Sequence, residues 1–210
     1  MKKPLVLVGG GGHCRSCIDV IDTTGAGRII GIVDLKDRVG RTVGPYSVIG
    51  SDEDLPRLVK KYGRFLITLG GLTNLQPRRD LFERLRKMGA EFPVVVSPRA
   101  HVSSTAKVGA GTIVMHGALI NAGAEVRENC IINTFALVEH DAFIDGHTHL
   151  STGAVINGEA RVGAGVLVGS GATVIQGVCI ADGAVIGAGA CVIEDIARSG
   201  TYVGVPARRI

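Results

Sequence analysis

Residues 102–150 read VSSTAKVGAGTIVMHGALINAGAEVRENCIINTFALVEHDAFIDGHTHL, and every sixth residue of this stretch is Val, Ile or Leu. The same spacing continues unbroken to Val192, with mostly small residues four positions after each anchor and turn-forming Gly and Asn between them. A period of six is neither that of an amphipathic helix nor that of an alternating strand. It predicts flat-sided coils that bury a continuous core only by stacking on one another, as in a solenoid. The sixteen anchors are Val102, Val108, Val114, Ile120, Val126, Ile132, Val138, Ile144, Leu150, Ile156, Val162, Val168, Val174, Ile180, Ile186 and Val192.

The first hundred residues have a different pattern, in which short apolar stretches alternate with helical segments. We predict helices over 14–24, from Ser51 through Lys61, and over 75–88, the second opening with a capping box at Ser51. Alternating strands and helices predict a small parallel sheet. The predicted strands are KPLVLV (3–8), RIIGIVD (28–34), RFLITLGG (64–71) and FPVVVSP (92–98).

Composition and charge narrow the class of protein. The 210 residues carry 23 Lys plus Arg against 19 Asp plus Glu, and this net charge of +4 is spread along the chain. Such a balance argues against nucleic acid as a partner and suits an anionic small molecule. No stretch approaches the roughly 18 apolar residues of a membrane span, and the start does not match a signal peptide. The five cysteines are odd in number and predict free thiols, so we expect a soluble, cytoplasmic protein.

A glycine-rich loop connects the first predicted strand to the first predicted helix. This order places backbone N–H groups and a helix N-terminus where a phosphate can bind. The full GxGxxG spacing is absent, and a tight turn for helix–sheet packing is the alternative. Asp34 ends the second predicted strand 22 residues after Gly12, where such folds often bind a ribose hydroxyl. The candidate nucleotide-binding residues are Gly9, Gly10, Gly11, Gly12, His13, Asp34 and Gly70.

The hexads resemble the left-handed parallel β-helix of the hexapeptide-repeat acyltransferases, in which three hexads make one triangular turn. The whole chain resembles bacterial N-acetyltransferases that modify the 4-amino group of nucleotide-linked amino-dideoxy sugars, together with their sialic-acid O-acetyltransferase relatives. The residues that carry this resemblance are VLVGGGGH (6–13), INTFALVEHD (132–141) and YVGVPARRI (202–210).

This resemblance implies an organisation and a set of ligands. It implies a small Rossmann-like α/β domain that binds the nucleotide sugar over 1–97, a left-handed parallel β-helix that binds acetyl-CoA over 98–197, and a C-terminal tail near CoA over 198–210. It also implies acetyl-CoA as co-substrate and a homotrimer with active sites between subunits.

The chemistry of acyl transfer from a thioester needs a base for the acceptor proton and backbone donors for the oxyanion. Histidine is the natural base, because its pKa lies near working pH. The resemblance implies that His140 is this base and that Asp141 orients its imidazole. With three hexads per turn, Gly158 stacks 18 residues above His140, and the resemblance implies that its backbone N–H faces the thioester carbonyl. The alternative for His140 is a solvated residue at a corner of the coil.

Further site residues follow from the same resemblance. His149 matches the acetyl-group position, Asn133 and Glu139 match sugar positions, and His147 has no assigned role. Small residues along the CoA edge let pantetheine lie flat, and two C-terminal arginines face its phosphates or are a solvated basic tail. The candidate CoA-binding residues are Gly158, Ser170, Ala188, Arg208 and Arg209.

Other functions remain as alternatives. O-acetylation of a sugar hydroxyl would use the same His140, and a non-catalytic β-helix could hold a nucleotide sugar. A metal site is less consistent with the sequence, because the gaps between His140, His147 and His149 differ from those of β-helix carbonic anhydrases, and Cys14-x2-Cys17 lacks a second ligand pair. We expect no metal and no acyl-enzyme, because none of the cysteines is placed beside His140 in the repeat.

Overall fold

The structure, a computed structural model, describes residues 2–71 and 74–210. The elements of the N-terminal part are β1 (Pro4–Val8), α1 (Gly12–Thr24), β2 (Arg28–Val33), β3 (Thr42–Val43), β4 (Tyr46–Gly50), α2 (Leu55–Tyr62), β5 (Phe65–Ile67) and α3 (Gln76–Lys87), with 3-10 turns at Lys36–Arg38 and Asp52–Asp54. These strands form a sheet of order β3-β4-β2-β1-β5, in which β3 and β4 are antiparallel and the other neighbours are parallel.

The N-terminal sheet is covered on both faces. Leu5 and Leu7 of β1 pack with α1, whereas Val6 and Val8 point to the opposite face and pack with α2 and α3. A parallel sheet buried on both faces has continuously apolar strands, which is why PLVLV predicted a strand without alternation. The carboxyl ends of β1, β2 and β5 therefore meet at one edge, beside the glycine loop.

Most of the predicted N-terminal elements are confirmed, with four differences, of which the last is described in the next paragraph. The capping box at Ser51 is present, but it opens a 3-10 turn that continues into α2. The strand predicted over 64–71 is confirmed only for Phe65–Ile67. The hairpin of β3 and β4 was not predicted, although Gly44 and Pro45 between its strands are a turn signal.

The fourth predicted strand, FPVVVSP, does not join the N-terminal sheet. Only Val95–Val96 (β6) of this segment form a strand, which pairs in parallel with Ile113–Val114 and so belongs to the repeat region. The physical reason is apolar burial, since Val95 is fully buried in a cluster that includes Ile113 and Met115. Repeat pairing therefore begins before the first hexad anchor.

From His101 to Val192 the chain forms two-residue strands at every hexad, and every strand up to Thr173–Val174 pairs in parallel with the strand 18 residues further on. This register gives three hexads per turn in a left-handed β-helix, as predicted. The strands are His101–Val102 (β7), Lys107–Val108 (β8), Ile113–Val114 (β9), Leu119–Ile120 (β10), Glu125–Val126 (β11), Ile131–Ile132 (β12), Leu137–Val138 (β13), Phe143–Ile144 (β14), His149–Leu150 (β15), Val155–Ile156 (β16), Arg161–Val162 (β17), Leu167–Val168 (β18), Thr173–Val174 (β19), Cys179–Ile180 (β20), Val185–Ile186 (β21) and Cys191–Val192 (β22).

Three sheets form the faces of the β-helix and meet at three corners. The first face contains β6, β9, β12, β15, β18 and β21 and is extended by Thr201–Val203 (β23) and Arg208–Arg209 (β24). The second face runs from β7 to β22 and the third from β8 to β20. We call the column of turns between the first and second faces corner A (133–135 in one coil), between the second and third corner B (139–141), and between the third and first corner C (145–147).

The hexad anchors from Val114 to Val192 are buried and form one continuous core with the small residues of the corners. Each turn of the β-helix from Gly111 to Gly189 has one residue in the left-handed region, and this residue is glycine in most of them. Five turns have a residue other than glycine at this position. A left-handed backbone is strained for such residues, and strain of this kind is often found at functional sites. These residues are Asn129, Phe135, Asp141, His147 and Glu159.

The N-terminal part packs on the first face of the β-helix. Helix α1 shares a buried apolar cluster with Ile113, Met115 and Ile131, and His116 Nε2 lies 2.8 Å from Asp19 Oδ2. Helix α1 is 13 residues long, and within 2–71 and 74–210 no helix combines the length and apolar character needed to cross a membrane.

Candidate active site

Corner B presents the predicted base. His140 follows β13, its side chain is half exposed, and its Nδ1 lies 3.1 Å from Asp141 Oδ2. A carboxylate oxygen only accepts, so Nδ1 carries the proton of this hydrogen bond and Nε2 of a neutral imidazole is left with its lone pair. Asp141 reaches the ring because its own backbone is left-handed, with φ of 59°. The geometry suits proton abstraction by Nε2.

Gly158 lies directly beside that imidazole, in the next coil. The pairing of Val138 with Ile156 sets the 18-residue register, and a Cβ at Gly158 would come within 2.7 Å of His140 Cε1 and Nε2. Its backbone N–H donates to no acceptor among the described residues. An acyl oxygen near His140 would therefore find an available backbone donor, because no side chain stands between them.

Glu139 shapes this corner. Its Oε2 accepts hydrogen bonds from Asn121 Nδ2 at 2.8 Å and from the His140 N–H at 3.2 Å. The carboxylate thereby fixes the backbone from which the imidazole projects. The predicted sugar contact of Glu139 stays a prediction.

A second group of predicted residues lies at corner A and under the N-terminal part. His149 is 4% exposed; its Nδ1 donates to the Gly71 carbonyl at 3.0 Å, and its Nε2 lies 3.3 Å from Asn133 Nδ2. Burial is the main cause that lowers the pKa of His149 to about 4; the hydrogen bond to Gly71 opposes this shift, and the positive charge of Arg78 adds to it. The His13 ring centroid is 6.3 Å from that of His149, and burial, with smaller contributions from Arg78 and His149, lowers the pKa of His13 to about 3. Both imidazoles are therefore neutral near pH 7.

These two groups are separate within one chain. Asn133 and His140 lie at opposite ends of one side of the triangular coil, and no hydrogen bond or ion pair of the described residues joins the group of His140 to that of His149. Within one chain the structure therefore does not bring the group of His140 and the group of His149 together.

The glycine loop has the geometry of a phosphate site. Gly9 is left-handed, with φ of 104°, and its N–H donates to the Val33 carbonyl. A Cβ at Gly10 would lie 2.6 Å from Asp34 Oδ2, whereas Gly11 and Gly12 face open space. Helix α1 begins at Gly12 without a side-chain cap, so its first N–H groups are free to bind an anion.

Beside this loop, a cavity of about 300 Å³ opens at the carboxyl ends of β1 and β2. Asp34 lines it with its carboxylate 3.1 Å from Arg38, and apolar walls come from Leu35, Leu69 and Leu81. Gly70 lies apart from the cavity, packed against His13, where a Cβ would approach His13 Cβ to 3.1 Å. Cavities at this edge of a parallel sheet are the usual ligand sites of such folds.

The predicted CoA residues are distributed over two corners. Ser170 and Ala188 stand in successive coils of corner A, whereas Gly158 is at corner B. Arg208 lies on β24, and its side chain reaches the C-terminal end of corner B, where Nη1 is 2.7 Å from Glu194 Oε1. Arg209 is exposed, with its guanidinium against Gly200.

Several polar groups were not singled out by the sequence. Ser97 Oγ, His116 and Asp19 form a hydrogen-bonded series at 2.6 and 2.8 Å that resembles a nucleophilic triad. Ser97 is only 1% exposed, so no substrate reaches its hydroxyl, and the series ties α1 to the β-helix. Arg78 is a buried guanidinium on α3, and nothing in its helical sequence pattern distinguishes it from its exposed neighbours.

The metal alternative gains no support from these positions. His140 is at corner B, His147 is held by Asn129 at corner C, and His149 binds Gly71. Cys14 and Cys17 are buried against the sheet, where desolvation raises both thiol pKa values. Among residues 2–71 and 74–210 no group of three or more His, Cys, Asp or Glu side chains is arranged to hold a metal ion.

Comparison with known proteins connects this geometry to a family. Residues 4–85 match the PglD N-terminal domain. The acetyltransferase domain of PglB from Neisseria gonorrhoeae is 32% identical, with a TM-score of 0.91 over 99% of this chain and 100% of that one. The chain belongs to the nucleotide-sugar N-acetyltransferases. It is an acetyl-CoA-dependent enzyme of that family, and the PglB domain has also been solved with acetyl-CoA.

Two further proteins are similar to this nucleotide-sugar N-acetyltransferase. The perosamine N-acetyltransferase of Caulobacter crescentus, solved with CoA and GDP-perosamine in a variant with a histidine replaced by asparagine, is 32% identical, with a TM-score of 0.93 over 99% of this chain and 96% of that one. A UDP-N-acetylbacillosamine N-acetyltransferase of Bacillus subtilis is 36% identical over 118 residues. That match spans 54% of this chain and about half the length of the curated relative, 51%.

Proposed function

We propose that this enzyme transfers the acetyl group of acetyl-CoA directly to the 4-amino group of a nucleotide-linked 4-amino-4,6-dideoxy sugar, with His140 as general base. One observation carries the proposal. The His140 imidazole, bonded through Nδ1 to Asp141, lies against Gly158, whose N–H has no acceptor among the described residues. A proton acceptor and an oxyanion donor thus share one corner of the coil.

In the proposed reaction the neutral amine of the sugar attacks the thioester carbonyl carbon. The nitrogen proton passes to Nε2 of His140, and Asp141 stabilises the imidazolium through Nδ1–H. The Gly158 N–H stabilises the negative charge that develops on the acyl oxygen. The carbon–sulfur bond then breaks, and the CoA thiolate takes the proton from His140, so the base returns to its starting state.

Direct transfer is favoured over an acyl-enzyme by where the thiols lie. Cys14, Cys17 and Cys130 are buried, and desolvation raises the pKa of the Cys130 thiol to about 12, which opposes nucleophilic attack. Cys179 on β20 and Cys191 on β22 are in later coils than His140. At roughly 4.8 Å per coil they stand about 10 Å or more from the base.

The nucleotide of the substrate fits the N-terminal part. The open N-terminus of α1 at Gly11 and Gly12 suits the pyrophosphate, and Asp34 suits a ribose hydroxyl beside the cavity of about 300 Å³. One relative is named for a UDP-sugar and another is solved with a GDP-sugar, so the substrate panel below includes more than one nucleobase.

Acetyl-CoA fits the column of corner B that begins at His140. The column continues through Gly158 to Glu194, which holds Arg208. Three coils at roughly 4.8 Å separate Arg208 from His140, which is about 14 Å and suits an extended pantetheine with its phosphates at the arginine. Ser170 and Ala188 would face the same ligand from corner A of a neighbouring subunit.

A trimer would bring the two halves of the site together. His140 lies with Gly158 at corner B, whereas His149 lies with Asn133 near corner A. Phe135, beside Asn133, is 69% exposed and holds a left-handed backbone, as expected for a side chain that a second subunit covers. We therefore propose a homotrimer in which corner B of one subunit faces corner A of the next.

The acceptor and the base are tested by thiol release from acetyl-CoA with a panel of UDP-, GDP- and dTDP-linked 4-amino sugars and free sialic acid. We expect turnover of one amino sugar, reduced about 10²- to 10⁴-fold in His140→Ala because general base catalysis is lost. Turnover of sialic acid alone would assign O-acetylation instead. Unchanged turnover in His140→Ala would exclude this histidine as the base.

The shared site is tested by mixing two inactive variants. Equal amounts of the His140→Ala and His149→Ala variants are unfolded, mixed and refolded together. If neighbouring subunits share the site, about a quarter of the sites then contain an intact His140 from one subunit and an intact His149 from the next. Each variant alone should stay inactive, and the mixture should recover activity. No recovery in a mixture shown to exchange subunits would place both histidines in one chain's site.

A further inference from the structure

Arg78 is an unusual buried cation. It lies on α3, is 2% exposed, and donates from Nε to the Asn129 carbonyl and from Nη1 to the carbonyls of Ile67 and Leu69. Within the described ranges its guanidinium has no carboxylate partner, and Nη2 has no partner at all. A buried, unpaired guanidinium is costly, which indicates a role beyond packing.

The carbonyls that Arg78 binds belong to both parts of the protein. Ile67 ends β5, and Leu69 begins the turn that leads from β5 toward the glycine loop. Asn129 is a left-handed residue at corner C of the β-helix, and its side chain lies 2.9 Å from His147 Nδ1. Arg78 therefore joins the edge of the N-terminal sheet to the β-helix at one point.

The turn held by Arg78 ends at the group that orients His149. The Gly71 carbonyl, two residues after Leu69, accepts from His149 Nδ1 at 3.0 Å. A carbonyl oxygen cannot donate, so Nδ1 must carry the proton. Nε2 of the neutral ring then holds a lone pair, and Asn133 Nδ2 lies 3.3 Å from it as a donor.

We infer that Arg78 is a positioning residue: by fixing the turn from Leu69 to Gly71 against the β-helix, it sets the tautomer of His149, so that Nε2 is an acceptor and the amine of the sugar replaces the long 3.3 Å contact of Asn133 as its donor. This inference rests on the proposed function for the identity of the amine, but the tautomer does not depend on it. It changes the role expected for His149. In this tautomer Nε2 cannot donate to an acyl oxygen, so the Gly158 N–H is the oxyanion donor.

The burial of the group supports a neutral His149. Desolvation is the main cause that lowers its pKa, and the positive charge of Arg78 acts in the same direction. Burial also lowers the pKa of Arg78, to about 10, so the guanidinium stays charged near pH 7. A neutral acceptor beside a fixed cation suits an amine that must arrive uncharged and with its nitrogen lone pair free.

The requirement for arginine follows from the number of acceptors. Its guanidinium presents donors in a planar fork to three carbonyls at once, which a lysine ammonium on a flexible stem does not match. Replacing Arg78 by lysine keeps the positive charge but removes the planar set of donors. Replacing it by methionine removes both, with a side chain of similar size. Arg86, an exposed arginine of the same helix paired with Glu83, provides the matched control.

The test is the tautomer of His149, read from imidazole ¹⁵N chemical shifts in the substrate-free enzyme. We expect Nδ1–H in the native protein and in Arg86→Met, and a mixture of tautomers in Arg78→Lys and Arg78→Met. His149 protonated on Nε2 in the native protein would overturn the inference without any variant. So would an unchanged tautomer in a folded Arg78 variant.

Kinetics add a readout that a purely structural role would not change. Arg78→Lys keeps the buried positive charge and serves as the test variant if Arg78→Met does not fold. In Arg78→Lys we expect kcat for the amino sugar to fall about 10-fold or more, because the acceptor is misplaced. The KM for acetyl-CoA should stay unchanged. If an Arg78 variant lost the Nδ1–H tautomer of His149 but kept full activity, the role of Arg78 in catalysis would be overturned. If the native enzyme were inactive on every amino sugar, the proposed function would be rejected, whereas the tautomer result would still stand.

Discussion

The imidazole of His140 covers the backbone of Gly158 so closely that a Cβ at residue 158 would lie 2.7 Å from two ring atoms. This contact links two coils, because the residues are 18 positions apart and are brought together by the pairing of β13 with β16. It also places the imidazole and a backbone N–H without an acceptor at the same corner of the coil. Any side chain at 158 changes that relationship.

Gly158→Ala should therefore reduce activity without unfolding the protein. The added Cβ displaces the His140 ring, which is half exposed and can rotate away at little cost to the free energy of unfolding. A displacement of about 1 Å can lower kcat by about 10²-fold. Gly146→Ala is the control: it has the same position in the hexad, and its Cβ meets atoms at an ordinary 3.5 Å. Equal kcat in both variants would contradict the proposed geometry.

Acid should destabilise the protein through His149 and His13. Their pKa values fall to about 4 and about 3 in the folded state, whereas a histidine in the unfolded chain titrates near 6.5. Between pH 6.5 and 4 the unfolded chain binds more protons, so the free energy of unfolding decreases as pH falls, by up to a few kcal/mol.

Urea unfolding of the native protein and of His149→Asn at several pH values measures this effect. The variant should lose less stability than the native protein between pH 6.5 and 4, because one buried titrating group has been removed. His101→Asn, at an exposed position, should keep the native pH dependence. Parallel curves for the native protein and His149→Asn would refute a neutral buried His149.

The left-handed turn residues predict a pair of opposite stability changes. Glu159 has φ of 61°, whereas glycine occupies the same corner one coil later, at Gly177, with φ of 71° and open space around it. Glu159→Gly should stabilise the fold by about 1 kcal/mol and Gly177→Glu should destabilise it by a similar amount, because a side chain is strained there. Thermal denaturation measures both. Changes of the same sign would show that backbone strain is not the cause.

The β-helix core should be sensitive to the loss of volume. Ile156 is fully buried between coils, and Ile156→Ala is expected to lower the free energy of unfolding by about 2–5 kcal/mol. Ile175 is 37% exposed, so Ile175→Ala should cost much less. Chemical denaturation of both variants makes the comparison, and similar losses would argue against a core built on the hexad anchors.

Local patterns were sufficient for most of the fold. The hexad period predicted coils because Val, Ile or Leu at every sixth position must point inward in each face. The apolar stretches that became β1 and β2 predicted strands because both of their faces are covered. The hairpin of Thr42–Val43 with Tyr46–Gly50 was missed because its short, partly exposed strands carry little apolar signal.

The sequence by itself determined the coils, because a repeat of fixed length turns spacing along the chain into distance across it. The register of three hexads per turn, which places His140 beside Gly158, came from the resemblance to the hexapeptide-repeat acyltransferases. The tertiary structure decided what lies between elements far apart in sequence. It buried Arg78 against Asn129, gave His149 the Gly71 carbonyl as a partner, and separated the group of His140 from that of His149. Such contacts depend on how α3 and the turn after β5 pack on the β-helix, and no periodicity within either part encodes that packing.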